Sequence, residues 1–331
     1  MLKIIIFILF VVIAIFLVSF FYLFIGRAPQ QKNIKWGVNF SQKFTEIMGL
    51  DWKKTYLALF EDLGVKNLKI ITHWDWMEGK RDEFFTDDLD WQIEEAEKHD
   101  VKLILVIGMK TGRWPECHIP VWAKSLPKEE QQEEILEHIR SIVLRYKGSD
   151  AIEKWQVENE PFFPFGECPW ADKEFVKKEV ELVKSLDPTR KVIISDSGEF
   201  SLWIKPAKIG DIVGTTMYRR VWSREMKFYF DSFFPRVYYW RKAQLIKKVF
   251  GKDVICVELQ AEPWGPVLLY DLPVGEQKKT MDLEQFKKNI EFAKKTGLKE
   301  FYLWGAEWWY WMKTKQGNSA IWDEAKKLFS E

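Results

Sequence analysis

Short apolar runs rich in β-branched residues alternate with longer amphipathic stretches from residue 35 to the end of the chain. The runs end at polar or turn-forming residues, which predicts strands, and the apolar spacing between them predicts helices. Eight strands are predicted: Lys35–Asn39, Asn67–Thr72, Lys102–Ile107, Ile152–Val157, Lys191–Ser195, Asp211–Met217, Asp253–Glu258 and Glu300–Trp304.

The stretches between the strands have the apolar periodicity of helices. Gly64, Gly148, Gly251 and Gly297 follow four of them, as expected of helix C-terminal caps. The segment Phe200–Lys208 predicts a short or distorted helix and is the weakest element of the pattern. The clear predictions are Trp52–Leu63, Asp88–His99, Lys128–Tyr146, Asp172–Ser185, Tyr229–Phe250, Leu283–Thr296 and Ile321–Ser330.

Eight strand-then-helix units in about 300 residues are typical of a (β/α)8 barrel, because this alternation requires parallel strands joined by right-handed crossovers. An open doubly wound sheet is the structural competitor. It would bring a glycine-rich phosphate turn after the first strand, and residues 37–40 (Gly-Val-Asn-Phe) do not form one. We therefore predict an α/β fold, a single TIM barrel over residues 34–331, with no second domain.

An apolar run, Ile4–Ile25, precedes the barrel. At roughly 20 residues it is long enough to cross a bilayer and too long for a typical signal-peptide core. We predict an uncleaved transmembrane anchor over residues 1–27 and a linker over residues 28–33, with a cleaved signal peptide as the alternative. Positive charge on both flanks leaves the orientation open. We expect the barrel to lie outside the cytoplasm, on the ground of the substrate class that its strand-end residues imply below and not of the charge pattern.

Composition narrows the class of function. The 331 residues carry a formal net charge of +1, which argues against a nucleic-acid partner. Three cysteines, Cys117, Cys168 and Cys256, lack metal-ligand spacing. Cys117 and Cys168 follow neighbouring strands, so they form either a disulfide or two unpaired loop thiols. No metal or other cofactor is predicted.

Polar residues at the carboxyl ends of strands carry the candidate chemistry, because these ends face the active site of a barrel. Asn159 and Glu160 end the fourth strand, and Glu258 ends the seventh. Strands four and seven lie on opposite sides of the barrel mouth. Two facing carboxyls suit glycoside hydrolysis, in which one protonates the leaving oxygen and the other attacks the anomeric carbon. The alternative, an ion pair for each glutamate, explains their matching positions less well.

These residues, with Tyr218 in Thr-Thr-Met-Tyr and Trp304 in Tyr-Leu-Trp-Gly, resemble glycoside hydrolase clan A, the retaining β-glycosidases. The resemblance implies that Glu160 is the acid/base, that Glu258 is the nucleophile and that Asn159 binds the sugar 2-hydroxyl. It also implies that Tyr218 orients the nucleophile and that Trp304 is the floor of the sugar site. A cis peptide bond after Trp304 is a further expectation.

The stretch His73–Gly79 resembles the second-strand loop of cellulase-like and β-galactosidase-like members, which makes His73 and Trp74 candidate substrate-binding residues. Two positions depart from the clan pattern. Lys69 stands where many members have arginine, and Thr216 stands where many have histidine. A lysine offers one point charge in place of a planar fork. These departures keep open an alternative function, a catalytically inactive carbohydrate-binding barrel at the cell surface.

Three more residues are candidate substrate-binding groups: Glu262 and Trp264, beyond the seventh strand, and Glu307, beyond the eighth. Glu262 is also a rival nucleophile, but Glu258 ends the apolar run directly. For Glu307 a solvated loop carboxylate is an equal alternative. Tryptophan is abundant, with 18 copies, many of them next to strand ends. Flat aromatic rings pack on the C–H face of sugars, which predicts a carbohydrate substrate.

Overall fold

The computed structural model describes residues 2–330. Eight parallel strands close into a barrel in the order β1-β10-β9-β6-β5-β4-β3-β2, and each is one of the eight predicted strands. The prediction of a TIM barrel is confirmed. The barrel strands are β1 (Lys35–Phe40), β2 (Asn67–Ile71), β3 (Lys102–Ile107), β4 (Ile152–Val157), β5 (Lys191–Asp196), β6 (Ile212–Met217), β9 (Asp253–Gln260) and β10 (Glu300–Trp304).

All helices but the first surround the barrel, and within residues 2–330 seven of them occupy the clearly predicted amphipathic stretches. Four short helices lie in segments where no helix was predicted. In the part of the chain that the structure describes the helices are α1 (Leu2–Phe24), α2 (Gln42–Ile47), α3 (Trp52–Glu61), α4 (Trp74–Met77), α5 (Asp87–Lys98), α6 (Lys128–Tyr146), α7 (Lys173–Leu186), α8 (Ile204–Ile209), α9 (Arg236–Phe250), α10 (Val274–Gln277), α11 (Leu283–Lys294), α12 (Ala306–Lys315) and α13 (Ala320–Ser330).

The predicted helix Tyr229–Phe250 is wrong in its first third. The chain there forms a two-stranded antiparallel hairpin, β7 (Arg220–Ser223) and β8 (Phe228–Asp231), and α9 begins only at Arg236. Pro235 is the cause, because a proline disfavours helical backbone in the residue before it and itself fits a helix start. Between β8 and α9 the chain reaches the surface, where Phe233 is exposed.

Barrel strands are buried on both faces, which explains why their sequences read as continuous apolar runs. The barrel interior holds a layer of apolar side chains, and a larger core fills the space between the strands and the helices. The interior layer consists of Ile104, Ile193, Ile212, Ile255, Val257 and Tyr302. Apolar side chains of this kind fill the interior of a TIM barrel, so the barrel is a packed core and not a pore.

Helix α1 stands apart from the barrel core. It is the one helix within residues 2–330 that is long and apolar enough to cross a membrane, and a signal sequence would pass the same test. Its last turn contacts α9: the ring of Phe24 lies 5.2 Å from that of Tyr238, and the Arg241 guanidinium lies 4.7 Å above Tyr22. The end of α1 therefore rests against the barrel wall.

Candidate active site

The turn that follows β4 carries Glu160 into the mouth of the barrel. Glu158 and Glu160 adopt left-handed backbone, with φ of 58° and 44°, which costs free energy for residues other than glycine. The Ser195 hydroxyl helps to hold this turn, because it accepts a hydrogen bond from the Glu160 amide at 2.8 Å. Strained backbone of this kind clusters at functional sites, where the surrounding structure fixes a side chain in one orientation.

Glu258 near the end of β9 accepts a hydrogen bond on each carboxylate oxygen. Lys69 from β2 donates to Oε1 at 3.2 Å, and the Tyr218 hydroxyl donates to Oε2 at 2.9 Å. Lys69 is completely buried, and burial lowers its pKa while the Glu258 charge opposes that change. Donors on both oxygens hold the Glu258 carboxyl in one orientation at the mouth of the barrel. Lys69 thus takes the place expected of the clan arginine.

Glu160 is in the opposite electrostatic situation. Burial, followed by the nearby Glu258 and Glu116 carboxyls, raises its pKa well above the usual value. Its Oε1 accepts a hydrogen bond from the Thr216 hydroxyl at 3.0 Å, which opposes the shift only in part. These surroundings favour the protonated form of Glu160. Thr216, the second departure from the clan pattern, contacts the carboxyl that the resemblance assigns to proton transfer.

Asn159 is held by several polar partners. Its Oδ1 lies 3.3 Å from both Gln156 Nε2 and the Ser195 hydroxyl, and its Nδ2 donates to Glu116 at 3.4 Å. Gln156 also bonds the Glu158 carbonyl at 3.0 Å. These contacts fix the Asn159 amide beside the two carboxyls.

Sequence reasoning missed Glu116, a third buried carboxyl in the site. Burial, above all, raises its pKa to about 7. It lies on the loop after β3, where the backbone pairs Lys110 with Cys117. Cys117 is joined to Cys168 by a disulfide, the first of the two alternatives left open by the sequence. Glu116 neither ends a strand nor belongs to a motif, so its sequence context carries no signal.

Trp304 closes another side of the site. Its indole Nε1 donates to Glu262 Oε1 at 2.8 Å, and the Arg113 guanidinium lies 4.2 Å above its ring. Arg113 also pairs with Glu262 and, at 2.9 Å, with Glu307. Glu262 is thus held in an ion pair, although its second oxygen has no protein partner within residues 2–330. Sequence reasoning missed Arg113 because it lies within a loop.

Two expectations near Trp304 need correction. The cis peptide expected after Trp304 is absent, since the cis bond in the described chain is Trp114–Pro115. Glu307 is neither solvated nor open to a sugar, because it is fully buried and accepts from Arg113 and from the Ser41 amide at 2.8 Å. Glu307 therefore orders the arginine and does not line the cleft.

The three remaining candidate sugar-binding residues differ in burial. Trp74 is fully buried and donates to Glu78 at 2.8 Å, so the expected sugar contact is not available to it. His73 is also buried, bonded to the Ser41 hydroxyl at 2.9 Å, and burial lowers its pKa well below the usual value. Trp264 is half-buried with its ring 5.2 Å from Tyr218, next to the carboxyls.

The amino-acid sequence matches a known protein family. The model of glycosyl hydrolase family 10, a clan A family, matches residues 27–221, more than half of the chain. A probable mannan endo-1,4-beta-mannosidase A of Aspergillus niger is 27% identical over 124 residues, which are 33% of this chain and 30% of that protein. An endo-1,4-beta-xylanase 2 of Claviceps purpurea is 29% identical over 126 residues, 36% and 37% of the two chains. The chain thus spans about a third of the length of these curated relatives.

Solved structures share the fold. Xylanase 10B from Thermotoga maritima superposes with a TM-score of 0.57 at 18% identity, covering 82% of this chain and 83% of that one. The cold-adapted β-galactosidase from Rahnella sp. R3 superposes with a TM-score of 0.58 at 11% identity, covering 92% and 57%. At these identities the likeness concerns the barrel alone. With the family match over more than half of its length, the chain belongs to glycosyl hydrolase family 10.

Proposed function

We propose that this protein is a retaining glycoside hydrolase that cleaves β-linked oligo- or polysaccharides with Glu258 as nucleophile and Glu160 as acid/base. One observation carries the proposal. Two carboxyls from opposite sides of the barrel differ in environment, since Glu258 accepts from Lys69 and Tyr218 while Glu160 is buried with a raised pKa. A carboxylate beside a neutral carboxylic acid is the pair that double displacement requires.

In the first step Glu258 attacks the anomeric carbon, and Glu160 gives its proton to the departing oxygen. The C–O bond breaks and a glycosyl ester forms on Glu258. Esterification removes the charge of Glu258, which is the largest charge effect raising the pKa of Glu160. Glu160, now ionised, is then able to take a proton from the water that hydrolyses the ester. The charge on Glu258 thus raises the pKa of Glu160 while Glu160 acts as an acid, and loss of that charge lowers the pKa when Glu160 acts as a base.

The groups around the pair suit a sugar ring. Asn159 is fixed beside both carboxyls, and in this proposal it binds the 2-hydroxyl. Trp264 is half-buried and offers flat apolar surface, and the unpartnered oxygen of Glu262 is an acceptor for a sugar hydroxyl. Trp304 is only 5% exposed, with Arg113 over its ring, so the expected role as floor of the sugar site needs that arginine to move. The mannanase and xylanase names of the curated relatives make β-1,4-mannan and xylan the first substrates to test.

The direct test is the anomeric form of the first product, followed by proton NMR during hydrolysis of an aryl β-glycoside, β-mannan or xylan. Retention predicts that the β-anomer appears first. A first product in the α form would exclude double displacement. Saturable binding of these glycans with no hydrolysis would instead support the inactive carbohydrate-binding barrel.

Substitution of Lys69 by methionine tests how Glu258 is held for attack. The variant loses the hydrogen bond from the Lys69 ammonium to Glu258 Oε1, and one buried electrostatic contact is worth roughly 100-fold in rate, so kcat is expected to fall by about that factor. Lys69→Arg keeps a positive donor at this position and is expected to lose much less. Steady-state kinetics on an aryl β-glycoside provide the measurement, and equal kcat for Lys69→Met and wild type would contradict this role.

Glu116→Gln tests the influence of the third carboxyl. Glu116 is one of the charges that raise the pKa of Glu160, so its neutral replacement should lower that pKa. Because Glu160 must be protonated to act, activity falls as pH rises through its pKa, and the alkaline limb is expected to move to lower pH. The pH profile of kcat/KM provides the check. An unchanged alkaline limb would show that Glu116 does not influence Glu160.

We further propose that α1 is retained as a membrane anchor, that residues 28–33 link it to the barrel and that the barrel faces outside the cytoplasm. The packing of Phe24 on Tyr238 and of Arg241 on Tyr22 supports retention. The intact mass of the protein extracted from membranes gives the check. A mass lacking residues 1–27 would identify a cleaved signal sequence instead.

A further inference from the structure

A cavity of about 470 Å³ opens where α1 meets the barrel. One wall is the segment that leaves α1, from Gly26 to Gln30, and the other walls are the start of α9 and the end of α11. Gly26 has a φ of 130° and lies so close to Arg241 that a Cβ would be 2.8 Å from the guanidinium. The chain turns sharply out of α1 at this point, and the turn creates the cavity.

The cavity is strongly basic. Four cationic residues line it and none of its lining residues, all within the described chain, is acidic. Arg219 and Arg236 both lie against the ring of Phe292, at 3.9 and 5.4 Å from its centroid. Lys295 has a carboxylate partner, Glu291 at 3.3 Å, outside the cavity lining. Within residues 2–330 the salt bridges involve neither Arg27, Arg219 nor Arg236, so these three guanidinium groups have no carboxylate within salt-bridge distance.

Arg219 differs from the other two arginines because it is fixed in place. Its guanidinium donates to the Ser232 carbonyl at 2.7 Å and to the Phe234 carbonyl at 3.1 Å. Arg27 and Arg236 are exposed and their side chains are not among the hydrogen-bond donors of the described chain. Guanidinium groups bind phosphate oxygens in a bidentate manner, so unpaired arginines in a cavity suit a phosphate group.

An exposed apolar surface adjoins the cavity. Phe233 and Phe200 are 74% and 71% exposed, and both contact Phe234, with ring centroids at 4.4 and 6.2 Å. Phe234 in turn contacts Phe24 of α1 at 5.9 Å. The aromatic surface is therefore continuous with the apolar helix. Exposed phenylalanines beside a basic surface are typical of segments that bury apolar side chains at the boundary between lipid headgroups and acyl chains.

The cavity reaches the catalytic side of the barrel. Arg219 directly follows Tyr218, the residue that bonds Glu258. Because α9 leads into β9, it begins at the end of the barrel where the strands finish, and Arg236 is its first residue. The other walls lead away from this end, because α11 leads into β10 and residues 26–30 lead into β1. Arg219 and Arg236 therefore mark the part of the cavity nearer the active-site mouth.

We propose that this cavity binds the phosphate headgroup of an anionic membrane lipid, with Phe233 and Phe200 inserted beside it, and so holds the catalytic face against the bilayer. The proposal rests on the retention of α1 as an anchor. A soluble phosphate compound shares the headgroup chemistry, but the lipid is favoured because the helix ends at the cavity and an apolar surface surrounds it. Glycans attached close to the membrane then lie within reach of the cleft.

The first test measures lipid binding to the full chain in detergent. Native mass spectrometry compares retained phosphatidylglycerol with phosphatidylcholine of the same acyl chains. Each arginine beside an anionic headgroup strengthens lipid binding roughly fivefold. The double variant Arg27→Gln with Arg236→Gln should therefore weaken phosphatidylglycerol retention roughly 30-fold. Arg140→Gln with Arg224→Gln, two arginines outside the cavity, removes the same charge and should retain the lipid like wild type.

Three results would overturn the proposal in this test. They are equal retention of the two lipids by wild type, unchanged retention by the Arg27/Arg236 variant, and displacement of the lipid by excess inorganic phosphate. The last would identify a site for soluble phosphate.

The second test locates the surface relative to the membrane. A spin label at Phe233→Cys, with the chain in phosphatidylglycerol-containing nanodiscs, is expected to be accessible to oxygen and protected from a water-soluble nickel complex. The matched control is a label at Val249→Cys, which is 66% exposed near the opposite end of α9. It should show the reverse accessibility. Similar nickel accessibility at both positions would contradict the proposal. Neither test involves hydrolysis, so failure here leaves the proposed glycosidase activity unaffected.

Discussion

Glu258→Gln is expected to lower kcat on β-glycosides by roughly 10⁴-fold or more, the loss usual when a covalent nucleophile is removed. The amide is nearly the same size and keeps one oxygen for Lys69 or Tyr218, so the barrel should still fold. Substrate binding should change little, because the lost group acts on the anomeric carbon in the transition state. Steady-state kinetics with an aryl β-glycoside provide the measurement.

The control for Glu258→Gln is Glu284→Gln, which removes a carboxylate that is 81% exposed on α11, far from any residue of the site. It should match wild type in kcat and in melting temperature. Retention of wild-type kcat by Glu258→Gln would remove this residue from the mechanism. Glu262 would then be the first rival to examine.

Glu160→Ala is expected to have an effect that depends on the leaving group. General acid catalysis contributes about 10²–10⁴-fold, so hydrolysis of a polysaccharide should fall by that amount. An aryl glycoside with an acidic phenol needs no proton to depart, so its glycosylation step should be nearly unaffected. The glycosyl ester would then accumulate, because no base activates water. A rapid burst of phenol followed by slow turnover is the expected time course.

Azide provides the control for this variant, because it is an anionic nucleophile that needs no base. It should restore turnover of the aryl glycoside in Glu160→Ala and yield a β-glycosyl azide, while wild type should respond little. Equal losses on poor and good leaving groups, without azide rescue, would show that Glu160 does not transfer the proton.

The fold was largely predictable because a parallel barrel imposes a strong pattern. Each strand is buried on both faces and each helix on one, so the eight strands appeared in the sequence with ends displaced by at most a few residues. The hairpin β7–β8 was missed because its aromatic and charged residues also suit an amphipathic helix. Only the backbone restriction imposed by Pro235 distinguishes a hairpin followed by a shorter helix from one continuous helix.

The candidate site was predictable where it depends on strand ends, and not where it depends on loops. Glu160, Glu258 and Tyr218 lie at or next to strand ends, and the structure brings them together. Glu116 and Arg113 come from the loop after β3, whose path is set by long-range contacts, including the Cys117–Cys168 bond. The burial of Trp74 could not be predicted from the sequence either, because a tryptophan can pack against a sugar ring in a cleft or against other side chains in the core.

Covalent trapping tests the central assignment most directly. A 2-deoxy-2-fluoro-β-glycoside with a good leaving group should inactivate the enzyme. The fluorine slows both formation and hydrolysis of the glycosyl ester, and the good leaving group speeds formation alone, so the ester accumulates. Proteolysis and mass spectrometry then locate the label. The two-glutamate account predicts one equivalent of sugar on Glu258 and none on Glu258→Gln. A label on Glu262, or full turnover without any covalent adduct, would contradict it.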